Sequence, residues 1–185
     1  CIRDRNLGVD YTHRPRKGLV HAVRKHRLKL SKQRAQKIAQ LRRAGGRVHR
    51  LAAASVKPVA MYGTHVTGIS TAHIHEVRKY YHTALTARHH RSITMDMALD
   101  KVVHPAVPGH TDVILMWCAC RWDHVLPDAM LDEAIEWARQ NVTSRTQWHE
   151  LYGPASAVVA TLIRLGWSLE SPVKWKTAAG AIVDI

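Results

Sequence analysis

Histidine and cysteine are the residues whose chemistry first suggests a metal site in this chain, which contains 14 His and three Cys. His73 and His75 are separated by one residue. The cysteines at 118 and 120 have the same gap, and His124 follows them with no second cluster nearby. On a helix, residues two apart point about 200° away from each other, and zinc sites prefer gaps of two to four residues in paired clusters. The spacing therefore predicts structural or surface roles and no metal site.

The carboxylates are scattered and form no obvious acid–base pair. The chain has no Gly-rich phosphate loop and neither a GxSxG nor an HExxH motif. Asp132, Glu133 and Glu136 fall in the first half of one predicted helix, where acidic side chains interact favourably with the helix dipole. We therefore expect them to stabilise that helix, and we predict no catalytic residue among them.

Asp10 is the one carboxylate whose context suggests catalysis. It ends the segment LGVD at 7–10, which resembles the strand that carries the first metal-binding Asp of RNase H-like nucleases, where paired divalent ions activate water. That fold next requires further strands and a second acid, whereas a basic helical stretch follows here. A nuclease that uses Asp10 therefore stands as an alternative function.

Positive charge in the first 50 residues is the largest chemical signal. This part holds 16 Lys and Arg against two Asp, a net charge of +14, and the other 135 residues hold 12 bases and 12 acids. Such segregation indicates a polyanionic partner, for which nucleic acid is the default. Contacts of this kind would be made to phosphates, and nothing here indicates readout of base sequence. The candidate nucleic-acid-binding residues are Arg16, Lys17, Arg24, Lys25, Arg27, Lys29, Lys32, Arg34, Lys37, Arg42, Arg43, Arg47 and Arg50.

A long helix is predicted to carry most of these basic residues. From Leu19 to about Ala44 the sequence lacks Pro and Gly and is rich in good helix formers, and Gly45-Gly46 is a strong stop signal. Basic residues cover most of its circumference, so we expect a mostly exposed helix. A thin apolar stripe is traced by Val23, Leu30, Ile38 and Leu41.

Two further helices are predicted before residue 90. The first has a core-facing stripe from Val48 to Val59, and Pro58 is expected to kink or interrupt it. The second is capped by Ser70 and runs to about Ala87. Its predicted inward residues are Ile74, Val77, Tyr81, Ala84 and Leu85.

The rest of the chain is predicted to be helical with a little β-structure. A helix capped by Thr111, a second opened by Pro127-Asp128 and running to about Asn141, and a third over 155–165, begun by Gly153-Pro154, are followed by a small hairpin around Gly180. Residues 6–12 read as a short N-terminal strand. The predicted fold class is therefore mainly α, with one long basic helix, a short N-terminal strand and a small C-terminal β-hairpin.

The composition excludes some classes of protein. Three cysteines do not make a disulfide framework and suit a reducing compartment. No run approaches the about 18–20 apolar residues of a membrane span, and the first residues lack the apolar core of a signal peptide. We therefore expect an intracellular protein, nuclear or cytoplasmic, with no membrane partner.

Several segments taken together resemble the region downstream of the polymerase core in LINE-type non-LTR retrotransposon reverse transcriptases. They are Leu7-Gly8-Val9, the basic helix, and AASVKPVAMYGTH at 53–65, which contains a Pro-x-x-x-Tyr-Gly pattern. The resemblance is clearest over residues 6–90. The Arg-rich composition and the tail resemble divergent copies of such retroelements in dinoflagellates. The tail contains YGP at 152–154 and LGW at 165–167.

This resemblance implies a thumb-like helical bundle that follows the end of a palm. Leu7, Gly8 and Val9 would then lie near the primer, and the helices from Leu19 onward would contact RNA or an RNA–DNA hybrid. The implied regions are the end of a palm-like strand and a linker (1–18), a basic thumb-like region (19–92), a linker (93–109), and a C-terminal helical region with a terminal hairpin (110–185).

The resemblance also implies that polymerase activity belongs to a longer parent, an RNA-directed DNA polymerase. The family's Tyr-x-Asp-Asp metal motif does not occur in this chain, and we expect it upstream of Leu7 together with the fingers and most of the palm. Mg²⁺ is expected only for that parent, and this chain alone is predicted not to synthesise DNA. A non-catalytic basic interaction module, or a decayed copy of the element, is the other alternative.

Overall fold

The computed structural model describes residues 22–85, 104–151 and 153–185, and in these ranges the chain is mainly helical with a small antiparallel sheet. The mainly α fold class is confirmed. Within the described residues the chain divides into two compact units. Unit 1 comprises 22–62, 69–85 and 104–109, and unit 2 comprises 63–68, 110–151 and 153–185. The predicted strand at 6–12 and residues 93–103 of the predicted linker lie outside the described residues.

Helix α1, Ala22–Arg43, ends where the sequence predicts. Gly45 has a φ of 87°, the left-handed conformation that glycine adopts without steric cost. Its N–H donates to the carbonyl of Arg42 (2.9 Å), and the N–H of Gly46 donates to the carbonyl of Leu41 (3.1 Å). This pair of hydrogen bonds is a Schellman motif and satisfies two of the last carbonyls of the helix. The predicted start, at Leu19, lies outside the described residues.

The buried face of α1 is made mostly of small side chains, which differs from the predicted stripe. Ser31, Ala35 and Ala39 recur every four residues and are all buried, together with Ile38. Of the predicted stripe only Ile38 is buried, and Leu41 is 45% exposed. Small side chains allow neighbouring helix backbones to approach closely, so α1 packs against both α2 and α4 through this face.

Helix α2, His49–Ala60, runs through Pro58 without interruption. Pro58 falls in the last turn, so its missing N–H removes a single helical hydrogen bond. The helix has buried residues both before and after Pro58. The buried residues of this region are Val48, Ala52, Val56 and Ala60. Leu51 of the predicted stripe is instead exposed. The Ser31 hydroxyl donates to the carbonyl of Val56 (3.1 Å), which joins α1 to α2 in an antiparallel pair.

Helix α4, Thr71–Leu85, completes unit 1 after the one-turn helix α3, Thr64–Thr67, which belongs to unit 2. The predicted cap is confirmed, because the Ser70 hydroxyl accepts from the N–H of His73 (3.1 Å). The predicted inward residues are buried, with Leu85 partly so. Helix α4 packs on α1 and α2, so unit 1 has a three-helix core.

Helix α5, Ala106–Trp122, begins five residues before the predicted cap at Thr111. Pro105 and Pro108 lie at or beside its first turn, where a missing N–H removes no helical hydrogen bond. Gly109 was expected to mark a loose connection. A Cβ at this position would lie 2.9 Å from Cγ2 of Ile69, so close packing inside unit 1 explains the glycine.

Unit 2 contains the part of α5 from residue 110 onward, two further helices and a sheet. The two helices are α6 (Asp128–Asn141) and α7 (Gly153–Leu165). The strands are β1 (Ser168–Leu169), β2 (Lys174–Lys176) and β3 (Ile182–Asp184), in antiparallel order β1-β2-β3. The predicted hairpin around Gly180 is confirmed as β2–β3, and β1 adds a strand that was not predicted. The core of unit 2 includes Trp117, Leu131, Ile135, Val158, Leu162 and Trp175.

We expect Ala35→Leu to destabilise the protein by about 1–3 kcal/mol, because α1 approaches its neighbours too closely to admit a larger side chain. Ala35 is 1% exposed. The measurement is the free energy of unfolding in urea, followed by circular dichroism. Gln36→Leu, at the next and exposed position of α1, is the control and should change stability by less than about 0.5 kcal/mol. Equal effects of the two changes would contradict the assigned buried face.

Candidate nucleic-acid interface

Charge is divided unequally between the two units. The described residues of unit 1 contain 14 Lys and Arg and a single acid, Glu76, a net charge of +13. The described residues of unit 2 contain six Lys and Arg and nine acids, a net charge of −3. Positive potential is therefore concentrated on unit 1. The contrast between the two units is sharper than the contrast between the first 50 residues and the rest of the sequence, which has no net charge.

One side of α1 carries a line of exposed basic residues, which we call the basic ridge: Lys25, Lys29, Lys32 and Arg43. At 100° per residue, these positions fall within about 60° of each other around the helix axis. From Lys25 to Arg43 the helix rises about 27 Å. One strand of B-form DNA advances about 3.4 Å per phosphate, so the ridge spans the length of roughly eight nucleotides.

Arg34 and three further predicted residues are also exposed but lie outside the basic ridge. Lys37 lies on a different side of α1, Arg47 follows the Gly45-Gly46 turn, and Arg50 is in the first turn of α2. These positions extend the positive surface of unit 1 beyond the ridge and around the junction between α1 and α2.

Three arginines of α1 contact other parts of unit 1. Nη1 of Arg34 donates to the carbonyl of Ser55 (3.2 Å). Nη1 of Arg42 donates to the carbonyls of Thr83 (3.3 Å) and Ala84 (3.0 Å) near the end of α4. A cation at this end of a helix also interacts favourably with its dipole. These arginines therefore contribute to holding α1 against its neighbours.

Arg27 is the third of these arginines, and its partner is aromatic. Its guanidinium carbon lies 3.9 Å from the centroid of the Tyr62 ring, which is a cation–π contact. Arg24 is half-buried. The residues Arg16 and Lys17, the primer-proximal Leu7, Gly8 and Val9, and Asp10 lie outside the described residues.

Glu76 is the one acid among the described residues of unit 1, and its carboxylate lies close to the basic ridge. A hydrogen bond from Nζ of Lys79 (2.8 Å) lowers the pKa of Glu76, and the charges of Lys79 and Lys32 act in the same direction. The carboxylate therefore stays ionised at neutral pH and partly offsets the charge of Lys32.

The histidines and cysteines that first suggested a metal site have other contacts. Nε2 of the buried His73 lies 3.0 Å from the carbonyl of Ala60, and Nδ1 of His75 lies 3.3 Å from Nη1 of Arg78. The Cys120 thiol contacts the sulfur of Met116 (3.4 Å). In residues 22–85, 104–151 and 153–185, no three His, Cys, Asp or Glu side chains are grouped to hold a metal ion.

Four residues of this surface were missing from the predicted set. Lys57, Arg78 and Lys79 add positive charge on α2 and α4, and the exposed Tyr62 joins Arg27. The sequence did contain a signal for the first three, since Glu76 is the only acid between Asp10 and Asp96. A count of acids rather than bases would have extended the basic region to include these three residues.

No helix within the described ranges combines the length and the apolar character needed to cross a membrane. The chain matches no protein-family model, and it has no significant match among curated proteins or solved structures.

We expect Arg42→Met to lower the free energy of unfolding by about 1 kcal/mol, because two carbonyls of α4 lose a charged hydrogen-bond donor. Arg43→Met removes the same charge from the next, exposed position and should leave stability within about 0.5 kcal/mol of wild type. Urea unfolding of both variants at the same salt concentration is the measurement. If Arg43→Met costs as much as Arg42→Met, the loss reflects charge alone and not the contacts with α4.

Proposed function

We propose that this chain binds nucleic acid through unit 1, with the basic ridge on the phosphate backbone and without recognition of base sequence. The observation that carries the proposal is the charge of the described residues of unit 1, in which 14 basic residues are accompanied by one carboxylate. Phosphate contacts of this kind give affinity and position rather than sequence specificity.

The arrangement of the ridge favours a polyanionic ligand over a merely solvated helix face. Solvated surfaces of folded proteins usually mix charges of both signs. On the ridge, Lys25, Lys29 and Lys32 follow each other at intervals of four and three residues, and such like-charged neighbours repel each other. A phosphate backbone would relieve this repulsion and release its own counterions.

The resemblance to LINE-type reverse transcriptases supplies the proposed ligand and context. A thumb grips a template–primer duplex by its backbone and shape, which requires positively charged helices and no base-edge contacts. RNA or an RNA–DNA hybrid is therefore the proposed ligand, and the proposed parent is an RNA-directed DNA polymerase. DNA synthesis, with its Mg²⁺, is assigned to that parent and not to this chain.

We expect the triple change Lys25→Glu, Lys29→Glu and Lys32→Glu to weaken binding of an RNA–DNA hybrid about 10- to 100-fold, because attraction between the ridge and the phosphates is replaced by repulsion. Binding is measured by fluorescence anisotropy from 50 to 300 mM salt. The plot of log affinity against log salt should become shallower by roughly 0.7–0.9 for each phosphate that the variant no longer neutralises.

The matched control for this triple change is Arg145→Glu, Lys174→Glu and Lys176→Glu. It alters the net charge equally at three exposed positions of unit 2. The control should reduce affinity by less than about threefold, since charges that do not touch the ligand are screened over roughly 8–10 Å. Equal decreases in affinity for both variants, or binding by the wild type that does not depend on salt, would contradict the proposal.

We expect Glu76→Gln to strengthen binding by about twofold at 50 mM salt, because it removes the negative charge beside Lys32. The gain should shrink at 300 mM salt as screening increases. The same anisotropy titration measures it, with Glu133→Gln, an exposed acid of unit 2, as the control. An unchanged affinity for Glu76→Gln would place the bound phosphates away from the part of the ridge near α4.

A further inference from the structure

We infer that Arg27 and Tyr62 form a stacking site for an unpaired base of a bound nucleic acid. The inference rests on the proposed function and names the ligand more closely: a single strand, or a duplex with a single-stranded overhang.

The exposure of Tyr62 separates it from the other tyrosines of unit 1. Among the described residues of unit 1, Tyr80 and Tyr81 are 9% and 0% exposed and belong to the core, whereas Tyr62 is 49% exposed. Core packing, the usual role of a tyrosine, therefore does not account for Tyr62. An exposed aromatic ring on a strongly positive unit has the chemistry of a base-stacking platform.

The position of Tyr62 follows from the antiparallel pairing of α1 and α2. The chain leaves α2 at Met61, which is buried, so Tyr62 directly follows an anchored residue. The pairing that sets Ser31 against Val56 also sets Arg27, one turn earlier on α1, against Tyr62. Both partners of the stack are thus fixed by the same helix pair.

The contact between the two side chains prepares the ring for a flat ligand. The guanidinium of Arg27 lies at stacking distance from the ring, and Tyr62 as a whole is 49% exposed, which is the surface that a base would cover. A base on an aromatic ring contributes about 1–3 kcal/mol and does so for any base. The arginine adds a fixed positive charge, which favours the phosphates that flank that base.

The location of the stack defines the path of the strand. Arg27 lies roughly 160–200° around α1 from Lys25 and Lys29 of the basic ridge. A strand that reaches both therefore crosses the exposed side of α1, where His26, Gln33 and Lys37 lie. A blunt duplex on the ridge has no unpaired base to place on Tyr62, whereas an overhang or a single strand has one.

The test compares Tyr62→Leu, Tyr62→Phe and wild type in the full chain, with three probes: a single-stranded RNA, an RNA–DNA hybrid with a single-stranded overhang, and the same hybrid with blunt ends. We expect Tyr62→Leu to weaken binding of the single strand and the overhang about tenfold, equivalent to about 1.4 kcal/mol. Binding of the blunt hybrid should stay within about twofold, and Tyr62→Phe, which keeps the ring, should bind all three probes like wild type.

Two results would overturn the stacking site: Tyr62→Leu binding the single strand as tightly as wild type, or losing affinity equally for all three probes. Circular dichroism checks folding, and if Tyr62→Leu does not fold, Tyr62→Gln is measured in its place with the same expected results. Failure of the wild type to bind any probe would instead overturn the proposed function, so the two failures are distinguishable.

Discussion

The packing of α1 against α2 and α4 is the constraint on which unit 1 depends. Its described residues include 14 basic side chains and one carboxylate, so like charges repel each other and this repulsion opposes folding. Burial of Ser31, Ala35 and Ala39 offsets it by letting the helix backbones come close. Hydrogen bonds from Ser31 to α2 and from Arg42 to α4 then secure α1 on both sides.

Arginine and lysine have different roles on α1. The guanidinium groups of Arg27, Arg34 and Arg42 stack on a ring or donate to carbonyls within unit 1. Lys25 and Lys29 extend into solvent. A guanidinium is planar, weakly hydrated and rich in donors, whereas an ammonium is compact and strongly hydrated. The same run of positive charge therefore both helps to assemble the unit and leaves ammonium groups exposed on its surface.

Helix ends could be predicted because their signals are local, whereas the buried face of α1 and the role of Gly109 depend on tertiary packing. Gly45 and Ser70 act on the adjacent backbone, so the end of α1 and the start of α4 can be predicted from the sequence. The buried face of α1 was mispredicted because close approach by two helices selects small residues such as Ala35 over larger apolar ones. Gly109 was misread for a similar reason, since its partner, Ile69, is distant in sequence. The positive charge of the candidate site is a property of composition, but the pairing of Arg27 with Tyr62 required the helix register.

The small side chains of α1 also have a thermodynamic consequence. The heat capacity change of unfolding grows with the apolar area that becomes exposed, and an interface of serine and alanine exposes little. Attachment of α1 through these small side chains should therefore add little to the curvature of stability with temperature. Most of that curvature should come from the larger buried side chains of the two cores, such as Tyr81 in unit 1 and Trp117 and Trp175 in unit 2.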